Sequence, residues 1–301
     1  MKIENLKAHL ALLLVNVLYG ASHVLAKGVM PDFLSPNVFI LFRVLGATLL
    51  FWLVLSITGR EKIHKSDLPR LIACGIFGVA INQLFFFHGL NLSSAFNSGI
   101  IMALNPIMVA ILSFFLLKER ITMLRSFGIA LGASGAILLT VKGATGKGDS
   151  SLGDLFLFIN SLSYAVYLVI VKPLMKRYKP MTVITWVFTF GLLFVLLFPP
   201  TIPEFLNTNF STFTSEIVIK ISYVIAGVTF LTYLLTTYGL KYLSPTISST
   251  YIYTQPVTVI LFAWLFAFFG WSADYTGTIT IEKIGYMLVI FFGVYITSKK
   301  S

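Results

Sequence analysis

The chain has 301 residues, of which 57% are hydrophobic and only 11% are charged, and its mean hydropathy is +0.90. A soluble protein of this length could not bury so much apolar surface, since soluble domains carry about 25% charged residues. The composition therefore excludes a soluble enzyme or binding module and predicts a membrane protein. The net charge of +11 is then explained by basic cytoplasmic loops, and no nucleic-acid partner is expected.

Apolar runs of about 20 residues, the length that a helix needs to cross the hydrocarbon core, follow one another along the chain. We predict ten transmembrane helices, at residues 8–28, 36–58, 68–90, 95–117, 123–142, 152–172, 181–199, 217–240, 245–268 and 283–298. The breaks between these runs are too short to form a soluble domain. The predicted fold class is an all-α polytopic membrane protein.

The distribution of basic residues predicts the orientation of these helices. With the N-terminus inside, most of the 22 Lys and Arg residues fall on the inner side. The exceptions within loops or at helix ends are Lys27, Lys142, Lys147, Lys220 and Lys283. Because basic loops stay on the cytoplasmic side, we predict an inner-membrane protein with both termini in the cytoplasm.

The second half of the chain repeats the first. Asn105-Pro106 in the fourth predicted helix recurs as Gln255-Pro256, 150 positions later, and Gly89-Leu90 recurs as Gly239-Leu240 at the same spacing. Each half contains five predicted helices, and because five is odd the second half must enter the bilayer in the opposite direction. The sequence thus predicts two inverted five-helix repeats, residues 1–145 and 150–301, of the kind associated with alternating access.

Each repeat contains a proline inside an apolar helix. Pro106 and Pro256 remove a backbone donor and crowd the preceding turn, so each is expected to kink its helix and act as a structural hinge. The amide side chain before each proline could contact a freed carbonyl group or a substrate. Alternatively, Asn105 and Gln255 only form hydrogen bonds between neighbouring helices.

Polar side chains inside a bilayer are costly, so we expect those within the predicted helices to face the interior of the bundle. Asn16, Gly20, His23 and Lys27 form one stripe on the first helix, and comparable stripes occur on the third, fourth, sixth, eighth and ninth. They predict a central, tyrosine-rich cavity between the repeats. Its predicted substrate-binding residues are Asn16, His23, Asn82, Gln83, His88, Ser98, Asn105, Tyr164, Tyr167, Tyr233, Tyr238, Tyr251 and Gln255.

Charged residues near the helices have competing interpretations. Lys27 either reaches the outer surface or contacts an anionic substrate group. Arg43 needs a partner or water within its helix, and Asp32 is a candidate partner in a structural role. Glu119, at the inner end of the fourth helix, is expected to serve as a gate or a helix-end salt bridge.

Two further groups have open roles. The imidazoles of His23 and His88 could transfer protons, since histidine titrates near neutral pH, or could bond backbone carbonyls. The glycines at 128, 132 and 135 form a face of small residues on the fifth helix. Such a face favours close helix packing or a contact in a homodimer.

Several segments together resemble the EamA domain of the drug/metabolite transporter superfamily. They are LYGASHVLAK, Arg43 in the second helix, ALNPIMVAILSFFLLKERIT and GIALGASGAILLT. Two departures are Tyr19, where the family usually has Trp, and Phe269, where a counterpart of Glu119 would stand. The resemblance covers nearly the whole chain and implies a ten-helix carrier of amino acids, nucleotide precursors, amphipathic drugs or other small metabolites.

The sequence contains no P-loop motif and no Asp or Glu in the middle of any predicted helix, so neither ATP nor a carboxylate relay is expected to drive transport. We expect no cofactor and no enzymatic activity. The predicted function is export of an amino acid-like, zwitterionic or aromatic metabolite by alternating access through the central cavity. The alternatives are a membrane sensor or partner protein and a membrane-embedded lipid enzyme, which would need a catalytic cluster that the four histidines do not form.

Overall fold

A computed structural model describes residues 3–26, 34–93, 101–143, 151–268 and 281–298. Within these ranges the side chains of residues 21–26 and 139–143, and of a few single positions that include Pro256, are outside the description. The described residues form helices and connecting turns and contain no strand. His23 therefore contributes only its backbone, whereas Lys27, Asp32, Ser98 and Phe269 lie outside the described residues altogether.

The described helices follow the predicted apolar runs with small shifts at their ends. Six continuous helices are α1 (Ile3–Ala26), α2 (Pro36–Thr58), α5 (Met123–Gly143), α6 (Ser151–Val171), α7 (Pro180–Leu197) and α10 (Ile281–Ser298). The others change helical type along their length, or are interrupted by a turn. A short helix that was not predicted, Thr201–Leu206, follows α7, where three prolines prevent a longer one.

Helices α3 and α8 each contain a π-helical segment at matching positions. Helix α3 consists of Leu68–Gly75, the π segment Ile76–Ile81 and Asn82–Leu92. Helix α8 consists of Ser215–Tyr223, the π segment Val224–Leu231 and Thr232–Tyr242. The last parts have 11 residues each and lie 150 positions apart. A π segment disturbs the regular hydrogen-bond ladder and often marks a functional region.

The two proline-containing helices are interrupted where the sequence predicted kinks. Helix α4 (Ile101–Leu117) has a turn at Leu104, and its regular part begins at Asn105. Helix α9 consists of Pro245–Thr250, the 3-10 segment Tyr251–Thr254 and Gln255–Phe268. In both helices the change of conformation comes directly before the amide–proline pair, because the proline ring cannot follow an uninterrupted α-helical turn.

The contacts between helices are equivalent in the two halves of the chain. Helix α1 packs on α8 and α9, just as α6 packs on α3 and α4. Helix α2 contacts α7 and α8, whereas α7 contacts α2 and α3. Helices α5 and α10 pack mainly on each other. Exchanging each of the first five helices for the helix five places later leaves these pairings unchanged.

The surface of the bundle is apolar and part of its interior is polar. Large side chains such as Ile57, Phe115 and Leu197 are more than 70% exposed, whereas Asn105 and Gln83 are buried. Five helices of the described part, α2, α3, α6, α7 and α8, are long and apolar enough to cross a membrane, and α4, α5 and α10 contain shorter apolar helices. This arrangement suits a bilayer, where an apolar surface faces lipid and polar groups bond to one another.

Candidate functional site

Polar side chains from five helices meet inside the bundle. We refer to them as the central polar cluster, which consists of Tyr19, Arg43, Asn82, Gln83, Asn160, Tyr164, Tyr167, Thr229, Thr232 and Tyr233. All are buried or half-buried. The cluster contains five of the thirteen predicted substrate-binding residues, and it adjoins both π segments.

Tyr233 links the two halves at the middle of the cluster. Its hydroxyl donates to the carbonyl oxygen of Gly78 (3.0 Å) and lies 3.3 Å from Oδ1 of Asn82. Nε2 of Gln83 donates to the same hydroxyl over 3.2 Å. Gly78 belongs to the π segment of α3, so a side chain from α8 bonds a carbonyl group within that segment. Gln83 and Tyr233 are 150 positions apart and therefore occupy equivalent places in the two halves.

Arg43 extends from α2 toward the π segment of α8. Its Nε donates to Oγ1 of Thr229 over 3.1 Å, and the Thr229 hydroxyl donates in turn to the carbonyl oxygen of Val224. The guanidinium carbon lies 4.9 Å from the centre of the Phe87 ring and 5.7 Å from that of Phe39. At these distances the two rings make cation–π interactions with the guanidinium group. Such interactions stabilise a charge that is shielded from water.

Two further tyrosines complete the cluster around α6. The rings of Tyr164 and Tyr167 lie 5.9 Å apart, and Nδ2 of Asn160 donates to the carbonyl oxygen of Asn82 over 2.7 Å. On α1, the hydroxyl of Tyr19 accepts a hydrogen bond from Thr232 at 3.3 Å. The cluster therefore joins α1, α2 and α3 to α6 and α8 through polar contacts.

The two proline-associated amides differ in their surroundings. Nδ2 of Asn105 donates to the carbonyl oxygen of Ser161 (2.7 Å) and lies 3.3 Å from its hydroxyl, and Asn105 is only 1% exposed. Gln255 is only half-buried. In α1, Asn16 donates to the carbonyl oxygen of Leu12, and its own carbonyl oxygen accepts a hydrogen bond from Thr258. Asn16 and Asn105 thus contact backbone groups that hold helices in place.

Three other predicted residues lie apart from the central polar cluster. The hydroxyl of Tyr251 lies 2.7 Å from Nδ1 of His9. The ring of Tyr238 packs on that of Tyr242, with ring centres 5.0 Å apart. Tyr251 belongs to a second apolar core formed by α1, α4, α5, α9 and α10, and Tyr238 of α8 packs against that core. His88 donates from Nε2 to Oδ1 of Asn37 at one end of the bundle.

At that end, a carboxylate joins the start of α2 to the segment after α7. Oε1 of Glu204 accepts a hydrogen bond from Nδ2 of Asn37 over 2.9 Å, and Oε2 accepts one from the hydroxyl of Ser35, which also caps α2. His88 is therefore connected to Glu204 through Asn37. The side chain next to this histidine is an amide, so a simpler reading than proton transfer is that His88 orients Asn37.

At the opposite end, contacts that involve Glu119 join α4 to α5 and α9. Its carboxylate accepts a hydrogen bond from Thr246 at the start of α9 (3.0 Å) and lies 3.5 Å from Nη1 of Arg125 in α5. Beside it, Nζ of Lys172 donates to the carbonyl oxygens of Leu240 and Leu243, which end α8. A cation at a helix C-terminus is favourable for the free carbonyl groups and the dipole.

Asp67 provides a second contact at this end, between the turn before α3 and the segment before α7. The hydroxyl of Tyr178 donates to its Oδ2 over 2.8 Å, and Nη1 of Arg177 lies 2.9 Å from both carboxylate oxygens. The bond from Tyr178 and the contact with Arg177 hold the pKa of Asp67 below its ordinary value. The ionised carboxylate therefore stabilises the fold at every pH above the pKa of aspartate in the unfolded chain. This stabilisation is lost as the pH falls through the lower pKa of Asp67 in the folded state.

We therefore expect Asp67→Asn to lower the free energy of unfolding at pH 7 by about 1–3 kcal/mol, because two donors lose their charged acceptor. The difference between wild type and variant should shrink as the pH falls below the ordinary range of aspartate. Thermal melts of the purified protein in detergent between pH 7 and pH 3 measure it. Glu216→Gln is the control, since Glu216 is 74% exposed and its described ion pair is with Lys220 one helical turn away. A difference that persists undiminished at low pH would contradict this account.

Sequence patterns located part of this site and missed another part. The offset between the halves points to Thr232 as the counterpart of Asn82. Tyr19 stood out in the sequence only as a departure from the family pattern, and Thr229 and Ser161 carry no motif of their own. The predicted partner of Arg43, Asp32, lies outside the described residues, and the contacts of Arg43 that are described are a hydroxyl and two rings. Within the described part of the chain, no group of three or more His, Cys, Asp or Glu residues could hold a metal ion.

Comparison with known proteins identifies several relatives of this chain. The chain is 31% identical over 196 residues to the uncharacterized transporter YyaM of Bacillus subtilis, covering 63% of each protein. It is 26% identical over 304 residues to an uncharacterized transporter of Archaeoglobus fulgidus, covering 98% of this chain and 99% of that protein. A WAT1-related protein of Arabidopsis thaliana is 24% identical over 212 residues. With YyaM and with the WAT1-related protein the alignment spans only 63% and 56% of their own length.

The fold also has a counterpart among solved structures. A protein of known crystal structure superposes with a TM-score of 0.73 at 16% identity, over 96% of this chain and 95% of that one. The EamA-like transporter family matches residues 6–141 and 151–299, which is nearly the whole chain. With both halves matched and apolar helices long enough to span a bilayer, this chain is an integral membrane protein that belongs to the EamA-like transporter family.

Proposed function

We propose that the chain is a secondary carrier of the inner membrane that exports a small metabolite by alternating access. In this proposal ten transmembrane helices form two inverted repeats, residues 1–145 and 150–301, with both termini in the cytoplasm. The substrate occupies the central polar cluster between the repeats. A relative of this family in Bacillus subtilis bears the name of a transporter, which supports transport as the activity.

The contact between Gln83 and Tyr233 is the observation that carries this proposal. Two copies related by a twofold operation touch at equivalent positions only where they meet the axis. Gln83 and Tyr233 are equivalent and share a hydrogen bond, which supports an axis through the central polar cluster. The paired π segments and the symmetric helix contacts support the same relation. Alternating access in inverted repeats takes place around such a site.

The direction of transport follows from what could drive it. Among the described helices, acidic side chains occur near the ends, as with Asp154 in the first turn of α6 and Glu282 in that of α10. A carrier without an intramembrane carboxylate relay moves its substrate down the substrate's own gradient. For a metabolite that accumulates in the cytoplasm, this direction is outward.

The two proline-associated amides provide the test. Gln255→Leu should reduce export at least severalfold while leaving stability near that of wild type, because Gln255 is half-buried and at the hinge of α9. Asn105→Leu should instead lower the free energy of unfolding by about 1–3 kcal/mol, since its hydrogen bond to Ser161 is buried. The measurements are extracellular metabolites of cells expressing each variant and melting of the purified proteins.

Asn207→Leu is the matched control, an exposed amide in a turn outside the long helices. It should leave both export and stability unchanged. A small set of metabolites that rises outside cells with the wild type, and rises less with Gln255→Leu, would support the proposal. No difference between expressing and non-expressing cells, with the protein correctly inserted, would argue against export.

A further inference from the structure

Arg43 holds a buried positive charge for which the described residues provide no negative partner. It is 7% exposed, and no described carboxylate lies within 4.0 Å of its guanidinium group. Its one described hydrogen bond uses Nε and leads to a neutral hydroxyl, that of Thr229. A guanidinium group has five N–H donors in a flat fork, and among the described residues only the donor on Nε has a hydrogen-bond partner.

The groups around Arg43 are aromatic and neutral. Phe39 and Phe87 present their rings to the guanidinium carbon, and Tyr19 and Tyr233 lie within electrostatic range. A phenol is neutral at pH 7. Glu204, a carboxylate that approaches the start of the same helix, is already bonded to Ser35 and Asn37. Arg43 is therefore the single formal charge among the described members of the central polar cluster.

The charge is present in only one of the two halves. Val187 stands as far from Pro180, the first residue of α7, as Arg43 stands from Pro36, the first residue of α2. Val187 is fully buried and apolar. The site is therefore electrostatically asymmetric although its helices pair symmetrically, and a ligand that fits it carries its negative charge at one end.

We propose that Arg43 binds the carboxylate group of the transported metabolite, which makes the substrate class a small monocarboxylate with an apolar or aromatic body. This inference rests on the proposed function, because it assigns a ligand to the same central polar cluster. The planar guanidinium group matches a carboxylate through two parallel hydrogen bonds. A phosphate carries more charge than one arginine balances, whereas an aromatic body matches the rings of Phe87, Tyr164 and Tyr167.

The experiment compares each carboxylate with its carboxamide, which has nearly the same shape but no negative charge. Purified protein in lipid nanodiscs is titrated with phenylacetate, L-phenylalanine and L-leucine, and with the carboxamide of each, and binding is followed by thermal shift and equilibrium dialysis. At least one carboxylate should bind, and its amide should bind about tenfold more weakly or worse, as expected for loss of a charge-assisted hydrogen-bonded pair. Arg43→Gln should abolish this preference, and Arg43→Lys should keep part of it. Arg60→Gln, at an exposed arginine in a loop, should leave it unchanged.

Several results would overturn the assignment. Equal binding of a carboxylate and its amide to the wild type would do so even if the Arg43 variants failed to fold. A carboxylate preference that persists in Arg43→Gln would place the anchor elsewhere. If Asp32 is the partner of Arg43, Asp32→Asn should lower the melting temperature as much as Arg43→Gln and the wild type should show no carboxylate preference. If no probe binds while cells expressing the wild type still export another metabolite, the carboxylate assignment fails but the proposed function stands. Absence of both binding and export would count against the proposed function itself.

Discussion

Replacing Gly293 by alanine is expected to separate α10 from α5 and to lower the free energy of unfolding by about 1–3 kcal/mol, the usual cost of overpacking. A Cβ atom at this position would lie 2.5 Å from the backbone nitrogen of Gly132 and 2.8 Å from the carbonyl oxygen of Gly128. Both neighbours are backbone atoms, so no side chain can rotate away. Because α5 and α10 pack mainly on each other, few other contacts would offset the separation.

Gly285 provides a control on the same helix. A Cβ atom there would meet nothing within 4 Å, so Gly285→Ala should gain about 0.5–1 kcal/mol from the higher helix propensity of alanine. Melting of both variants in the same detergent measures the difference. If Gly293→Ala is as stable as Gly285→Ala, the close approach of α5 and α10 is not required for the fold.

The glycine pattern on α5 predicts that another helix comes close but not which helix this is. The glycines at 128, 132 and 135 indicated close packing or a dimer contact, and all three lie against neighbours within the chain, Gly128 and Gly135 against α10 and Gly132 against Tyr253 in α9. Small residues at helical spacing identify a face that another helix can approach. They carry no information about which helix approaches, because every helix of the bundle is apolar enough to do so.

Helix positions were predictable because the bilayer imposes a length on each apolar run. The π segments were not predictable, since Ile76–Ile81 and Val224–Leu231 are apolar sequences like their neighbours. The sequence offset of 150 positions aligns Asn82 with Thr232, the residues that directly follow the two π segments, but it does not indicate that the preceding turns are π-helical.

The members of the site were only partly predictable for a geometric reason. A helical stripe fixes the face on which a residue lies but not its depth or the side chain that it meets. Tyr251 and Tyr233 both lie on inward faces, yet Tyr251 contacts His9 and Tyr233 contacts Gln83. For Arg43 the sequence suggested a carboxylate partner, whereas the contact with Thr229 has no signature in the sequence.

Tyr233→Phe tests the contact between the two halves and is expected to lower the free energy of unfolding by about 1–3 kcal/mol. The change removes one oxygen atom and leaves the ring on Phe188, whose centre is 4.8 Å away. It leaves Nε2 of Gln83 and the carbonyl oxygen of Gly78 without the hydroxyl that now bonds both. Both groups are buried within helices, and unmatched buried polar groups cost more than the lost hydrogen bond itself. Export should fall as well, because the hydroxyl fixes the relation of α3 to α8 around the proposed substrate.

Tyr167→Phe is the matched control for this substitution. Tyr167 is equally buried, and its hydroxyl finds no hydrogen-bond partner among the described residues. Removing that hydroxyl eliminates a buried polar group that lacks a partner, so the stability should stay the same or rise. Melting of the two variants side by side separates loss of a hydroxyl as such from loss of this particular contact. If both variants melt alike, the hydrogen bonds of Tyr233 do not hold the halves together. The contact between the equivalent positions Gln83 and Tyr233 would then make no contribution to stability.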